Sequence, residues 1–362
     1  MTDVNKIFII ISMSSSPKHA YGYYLFLGTG DFPPPEPLTN QWTSTWTFED
    51  WKKNILTLRD AGMNTLFLYL MGNSLPFASE NYPHCIETGH PNVETDFCQD
   101  VIDFCNSLAI DVIGVFSTTG HAQGFTLTFP HTAVINRHGI PQPESGISCH
   151  HHPEAQTYAR TVITELLHRY HGFKGIMLHP PEFLEPCYCS RCREKYRSLY
   201  NKNLADIDKQ SAQRFFMETN LEFQNSVIAP RVREITGNTQ LFTFTIPWVF
   251  ENDFEIFARR IPEDTILVEW DYDLRDETIS SIPARLDRYR QFGHTLWFMP
   301  SAGFNFYPGT PFHFTKEKTV EEQAAQVLKQ IETVVNQGIQ DIIFFTGPYI
   351  PEMLKQTSWY IA

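Results

Sequence analysis

The sequence predicts an α/β fold in which eight strands alternate with helices along the 362 residues. The strand candidates are short and continuously apolar, which is typical of parallel strands buried on both faces. Helical patterns separate them, and no glycine-rich phosphate-binding fingerprint is present. We therefore expect a single (β/α)8 TIM barrel over residues 1–362, with long loops after strands 3 and 4. An open doubly wound sheet is the alternative fold.

Residue spacing locates the individual elements. Thr47 and Asp50 are spaced as a capping box before a helix that carries Trp51, Ile55 and Leu58 on one face. The strand candidates are 23–27, 64–70, 111–116, 175–178, 240–246, 265–270, 295–299 and 341–345. Further helices are predicted at 95–108, 154–171, 210–235, 277–292 and 319–337.

Composition narrows the classes of partner and compartment. The net charge is −13 without a basic run, which argues against nucleic-acid binding. No apolar stretch approaches the roughly 20 residues of a membrane span, and the apolar run 6–12 is too short for a signal peptide. The seven cysteines are an odd number, which favours a reducing, cytoplasmic location over a disulfide framework. The sequence leaves the oligomeric state open, with a homo-oligomer among the options.

Three cysteines lie within six residues and predict a metal site. Cys187, Cys189 and Cys192 supply three thiolates, and Cys149 in the long loop after strand 3 can supply the fourth. The loops after strands 3 and 4 of a barrel are neighbours, so Cys149 can reach the other three. A site closed by four thiolates leaves no open position, so its zinc would be structural. The alternatives are free or disulfide-paired cysteines, or one of His150–His152 as the fourth ligand.

The segment around these cysteines resembles a known family. Residues 169–183, RYHGFKGIMLHPPEF, followed by CYCSRCREKY at 187–196, are similar to the fourth-strand region of family 42 glycoside hydrolases, the β-galactosidase group of clan A. The stretch 60–68 resembles its passage from the first helix to the second strand. The resemblance implies that Glu182 is the acid/base and that Cys149 completes a structural zinc site. The chain differs in having Pro181 where the clan has Asn, and in lacking a carboxylate on strand 7.

Glycoside cleavage requires two carboxyl groups. Glu182, at the end of strand 4, is the first candidate, and we expect nearby Glu185 to have a structural role in the loop. Glu269 and Asp271 alternate along strand 6 and should share one side of it, which makes either of them the candidate partner. The alternative is that the strand 6 acids, including Asp273, form ion pairs with Arg259, Arg260 or Arg275.

The other strand ends supply polar and aromatic residues of the kind that bind sugars, and aromatic residues make up 14% of the chain. The leading hypothesis is therefore a glycoside hydrolase with a carbohydrate substrate. A metal-dependent sugar isomerase or hydrolase, with a divalent ion on His179, Glu182, Glu269 and Asp271, and a non-catalytic carbohydrate-binding barrel are the alternatives. The candidate substrate-binding residues are Asp31, Asn73, His121, His179, Trp248, Tyr272 and Tyr307.

Overall fold

The computed structural model describes residues 19–27, 43, 46–60, 62–71, 75–85, 93, 95–181, 186–237, 239–245, 253–271, 273–300 and 320–347. Its strands are β1 (Tyr21–Phe26), β2 (Thr65–Met71), β3 (Asp111–Ser117), β4 (Gly175–His179), β5 (Gln240–Thr245), β6 (Ile266–Asp271), β7 (Leu296–Pro300) and β8 (Ile342–Gly347). Its α-helices are α1 (Phe48–Asp60), α2 (Cys98–Ser107), α3 (Gln123–Thr128), α4 (Pro153–Arg169), α5 (Ser190–Tyr200), α6 (Lys209–Phe223), α7 (Ala229–Thr236), α8 (Phe254–Ala258), α9 (Asp276–Arg290) and α10 (Val320–Asn336).

The eight strands close into a barrel in chain order, each parallel to its neighbours, and β8 pairs with β1. The predicted (β/α)8 barrel is therefore confirmed. Every predicted strand is present with its ends moved by at most about two residues, as expected for boundaries set by hydrogen bonding. The apolar run 6–12 and the predicted helix start at Thr319 lie outside the described residues.

Local sequence explains how the first helix begins and which face it buries. The Thr47 N–H donates to Asp50 Oδ2 at 2.9 Å, and the Asp50 N–H donates back to Thr47 Oγ1 at 3.3 Å. This reciprocal pair is the predicted capping box, and α1 follows it directly. Trp51, Ile55 and Leu58 are all buried, as their spacing predicts.

The interior of the barrel is filled by aromatic rings that point inward from most of the strands. Tyr24 contacts Phe67 and Phe345, with ring centroids 6.5 and 4.9 Å away. Phe244 lies against Trp270 at 4.8 Å, nearer the carboxyl ends of the strands. Large rings in close contact make this a packed core rather than a channel. The pocket for any ligand must therefore lie above them, among the loops that follow the strands.

The long loops after β3 and β4 pack together beside the barrel. The loop after β3 contains a short antiparallel turn region with bridges between Ala133 and Ser148 and between Ile135 and Pro141. Helix α5 belongs to the loop after β4. The loops share a second apolar cluster, separate from the main core, that comprises Val134, Ile147, Cys149, Cys187, Tyr188, Cys192, Tyr196, Leu204, Ala212, Phe215 and Phe216. In the part of the chain that the structure describes, none of the helices has the length and apolar character needed to cross a membrane.

Candidate active site and metal centre

His179 is the last residue of β4 and points into the barrel at its carboxyl end. Its ring lies 4.9 Å from Phe244, 5.5 Å from His121 and 6.0 Å from Tyr69, centroid to centroid. His179 Nδ1 is 2.6 Å from the Pro180 carbonyl oxygen. Because a carbonyl only accepts, Nδ1 must carry a proton, which fixes the ring orientation. The structure thus brings two predicted substrate-binding histidines, His121 and His179, together under the mouth of the barrel.

Several sequence-predicted site residues lie outside the described part of the chain. The described chain passes through buried Pro180 and Pro181 at the exit of β4 and continues from residue 186. Glu182 and Glu185 fall between these points, so the role of Glu182 stays a prediction. The same holds for five of the predicted substrate-binding residues, namely Asp31, Asn73, Trp248, Tyr272 and Tyr307.

The strand 6 acids share one side of β6, as their alternation predicts, but it is the outer side. Trp270, between them, points into the barrel, where its ring lies 5.9 Å from His179. Glu269 and Asp271 therefore face the surrounding helices, where both meet Arg285 of α9. In this orientation neither side chain points toward the barrel mouth, where the catalytic partner of Glu182 was expected. Both acids form ion pairs, as the alternative interpretation expected, but their partner is Arg285, which was not among the expected arginines.

These contacts form a buried charge network. Arg285 Nε donates to Glu269 Oε1 at 2.9 Å, and its terminal nitrogen donates to Asp271 Oδ2. Thr245 of β5 donates its hydroxyl to the other oxygen of Glu269. The pKa of Asp271 is raised to about 6, mainly by burial and also by the charge of Glu269, while Arg285 opposes the rise. Further along the chain, Asp273 pairs with Arg275.

This geometry also removes the divalent-ion site of the isomerase alternative. His179 faces the inside of the barrel, whereas Glu269 and Asp271 face its outside, so they cannot share one ion. Among the described residues, the group of His, Cys, Asp and Glu side chains that could hold a metal is Cys149, Cys187, Cys189 and Cys192.

The four cysteine sulfurs converge at the junction of the two long loops. All four Sγ atoms lie within 4.8 Å of one another. Cys149 Sγ is 3.8 Å from Cys189 Sγ and 3.6 Å from Cys192 Sγ. Four sulfurs placed tetrahedrally about 2.3 Å from one ion would be roughly 3.8 Å apart, so these spacings suit a metal. They are far longer than the roughly 2.05 Å of a disulfide, and all seven cysteines are free.

Helix geometry explains why the Cys-x-x-Cys spacing works. Cys189 is the N-cap of α5, and its sulfur accepts the Cys192 N–H at 3.4 Å. Residues at the N-cap and three positions later lie over the same helix start, so their side chains converge. The Ile135 N–H donates to Cys187 Sγ, also at 3.4 Å. Hydrogen bonds from the Cys149, Cys187 and Cys192 thiols lower the pKa of Cys189, as expected of a thiolate at a helix N-terminus.

The three histidines after Cys149 are structural neighbours of the cluster. His150 is buried, with its Nε2 atom 2.7 Å from Thr219 Oγ1 and its ring 4.6 Å from that of Phe216. Burial lowers the pKa of His150 well below its usual value and keeps it neutral. His152 lies beside His131, with ring centroids 5.5 Å apart. The fourth side chain of the cluster that could hold a metal is therefore Cys149 and not a histidine.

Two features of the site were missed at the sequence level. The first is Tyr69, which lies two residues after inward-facing Phe67 on β2 and therefore also faces the barrel mouth. The alternation of the strand sequence predicts this orientation. The second is a layer of buried polar contacts between α6 and the loop after β3. Asn220 donates to Thr119 Oγ1 at 2.7 Å, and Gln224 donates to Thr118 Oγ1 at 3.0 Å. No local sequence pattern indicates contacts across about 100 residues.

No protein-family model matches the chain, and no curated protein matches it either. Several solved structures with a similar fold are glycosidases. The β-galactosidase from Bacillus circulans sp. alkalophilus superposes with a TM-score of 0.62 at 15% identity, over 91% of this chain and 50% of that one. The Halorubrum lacusprofundi β-galactosidase superposes with a TM-score of 0.61 at 14% identity, over 90% of this chain and 52% of that one. The Vibrio harveyi exo-β-N-acetylglucosaminidase in complex with N-acetylglucosamine superposes with a TM-score of 0.56 at 13% identity, over 96% of this chain and 54% of that one.

At these identities the comparisons establish the fold alone. The chain spans about half the length of each of these enzymes.

Proposed function

We propose that the protein is a glycoside hydrolase in which Glu182 acts as the general acid/base. The observation that carries the proposal is the exit of β4. It places inward-facing His179 at the carboxyl end of the barrel, three residues before Glu182. In (β/α)8 enzymes the chemistry occurs at this end of the strands. The resemblance of residues 169–196 to family 42 and the glycosidases among the fold neighbours support the same reaction.

The partner of Glu182 must come from a strand other than β6. Glu269 and Asp271 are held outside the barrel by Arg285 and are not candidates. Asp31, after β1, and Glu251, after β5, are acids that follow other strands in the sequence. A separation of about 5–5.5 Å between the two carboxyl groups would give retention of configuration, and about 6.5–9.5 Å would give inversion.

We assign a structural zinc to the four-cysteine cluster. The sulfur spacing suits a tetrahedral ion, and four thiolates favour zinc. Four cysteine ligands would fill the tetrahedral shell of the ion, so no ligand position would be left for a substrate. The ion would join the loop after β3 to the loop after β4, beside the proposed active site.

The proposed substrate is a carbohydrate bound above the aromatic interior. Tyr69, Phe244 and Trp270 are buried around His179 and form the floor beneath the space in which the sugar would bind. Asp31, Asn73, His121, Trp248, Tyr272 and Tyr307 are proposed to complete the rim.

The test is turnover of 4-nitrophenyl β-galactoside and 4-nitrophenyl N-acetyl-β-glucosaminide by the wild type and two variants. Glu182→Gln should lower kcat by about 10²- to 10⁴-fold, the usual contribution of a general acid/base. Glu185→Gln, a matched change in the same loop, should remain within a few-fold of the wild type. Circular dichroism should show that both variants are folded. Equal activity of Glu182→Gln and the wild type would remove Glu182 from the mechanism.

A non-catalytic carbohydrate-binding barrel is the second candidate, favoured by the lack of a carboxylate in the strand 7 sequence 296–303. Titration calorimetry with galactosides and N-acetylglucosaminides separates the two. Saturable binding without any turnover would support the binding protein over the enzyme.

A further inference from the structure

The exits of β3 and β4 approach each other very closely at Gly120. We define the β3 exit loop as residues 117–121. A Cβ atom on Gly120 of this loop would lie 2.9 Å from Pro181 Cα and 3.1 Å from Pro181 Cβ. Real Cβ atoms essentially never approach backbone so closely, so any side chain at position 120 must displace Pro181. The φ of Gly120 is outside the left-handed region, so the contact itself, and not backbone conformation, requires glycine.

The β3 exit loop is fixed from behind by buried polar side chains. Asn220, near the end of α6, donates to Thr119, and Gln224, in the π-helical turn that follows, donates to Thr118. The Ser117 hydroxyl donates to the Gly120 carbonyl oxygen at 2.5 Å. These groups are almost completely buried, so breaking one bond leaves a polar atom without water. The loop is therefore a rigid surface against which Pro181 rests.

A displacement of Pro181 should also move the residues before it, because the backbone at the β4 exit is stiff. Pro180 and Pro181 are consecutive prolines, whose φ angles are restricted to about −65°. The Pro180 carbonyl, one bond away from the Pro181 nitrogen, accepts the hydrogen bond from His179 Nδ1. A movement of Pro181 must therefore alter the hydrogen bond between His179 and the Pro180 carbonyl.

We propose that Gly120, supported by Asn220 and Gln224, is a positioning residue that sets the exit of β4 and so the place of His179. This inference deepens the proposed glycosidase function and rests on it where catalysis is concerned. The positions of His179 and Pro181 themselves do not depend on the reaction. The structural and catalytic consequences can therefore be measured separately.

The experiment compares Gly120→Ala with Gly139→Ala and Gln224→Met. Gly139 has a φ of +82° with nothing within 4 Å of its Cβ position, so alanine there adds backbone strain without a contact. Gln224→Met keeps the side-chain length but removes the donor to Thr118, and it decides the question if Gly120→Ala does not fold. The structural readout is the imidazole ¹⁵N spectrum of histidine-labelled protein, in which His179→Gln identifies the His179 signals.

We expect the His179 signals to move in Gly120→Ala and, by less, in Gln224→Met, and to stay in place in Gly139→Ala. In the same proteins kcat should fall about 10- to 100-fold in Gly120→Ala with little change in KM, since small misplacements of reacting groups have effects of this size. Unmoved His179 signals in both Gly120→Ala and Gln224→Met would overturn the proposal. If Glu182→Gln retains full activity, the proposed function fails, and the ¹⁵N spectra alone then decide whether Gly120 positions the β4 exit.

Discussion

Arg285 holds two buried carboxylates outside the barrel, and its removal should destabilise the fold in a pH-dependent way. Glu269 is 0% exposed and Asp271 2% exposed, so neither can be hydrated once the guanidinium is gone. Removing one partner of a buried ion pair costs about 3–5 kcal/mol. With an unfolding entropy of about 2.1 cal/mol/K per residue over 362 residues, that corresponds to a fall in Tm of about 4–7 °C.

The sign of the pH dependence follows from the carboxyl groups. Burial already raises the pKa of Asp271 to about 6 from 3.8, so its contribution to stability is fully present below about pH 4 and is lost as pH rises through 6. Arg285 lowers the pKa of Asp271, so without Arg285 that pKa should rise further, and protonation would neutralise this carboxyl group. The difference in unfolding free energy between wild type and Arg285→Met should therefore be smaller at pH 5 than at pH 8, where it reaches its full size.

Urea unfolding at pH 5 and pH 8, followed by circular dichroism, measures this difference. Arg290→Met is the matched control, because Arg290 is on the same helix but is about a third exposed and pairs with Asp287. Combining Arg285→Met with Glu269→Gln and Asp271→Asn should recover most of the lost stability, since no buried charge remains. An Arg285→Met protein as stable as the wild type at pH 8, or equally destabilised at both pH values, would refute the reasoning.

Two further predictions concern the acids and the thiolates. Glu269→Gln should keep kcat within a few-fold of the wild type, because Glu269 faces Arg285 and not the mouth; a loss of about 10²-fold in a folded protein would return it to the mechanism. Cys149→Ser should lower the zinc content, measured by plasma emission spectrometry, below one ion per chain, whereas Cys98→Ser, in the buried face of α2, should leave the zinc content unchanged. Equal zinc in both variants would contradict the assignment of Cys149 as a ligand.

The strand 6 acids show where sequence reasoning succeeds and where it stops. Alternation correctly placed Glu269 and Asp271 on one side of β6. It could not say which side, because both faces of a barrel strand are buried, and the apolar residues on either face look alike. The position of Trp270 decides which side the acids face. Its large ring packs next to His179 in the interior, so its neighbours Glu269 and Asp271 face outward. The partner Arg285 lies 14 residues beyond Asp271, at a spacing that has no meaning until β6 and α9 are packed together.

The cysteines were predictable for the opposite reason. Three of them are close in sequence, so helix capping geometry at Cys189 determines most of the site locally. Only Cys149 had to be brought in from another loop, and the order of strands in a barrel makes those loops neighbours. The Gly120–Pro181 contact, by contrast, depends on the separation of two backbones, and sequence alone does not give such distances.

The four-cysteine cluster would make the stability of the two long loops depend on free zinc and on the redox state of the thiols. Cys149 and Cys192 are 43 residues apart, so an ion shared between them would join two distant parts of the folded chain. A ligand that binds only the folded state stabilises it in proportion to the logarithm of its free concentration. The two loops beside the proposed active site would thus be held more firmly when free zinc is plentiful, and would loosen under chelation or thiol oxidation while the barrel stays closed.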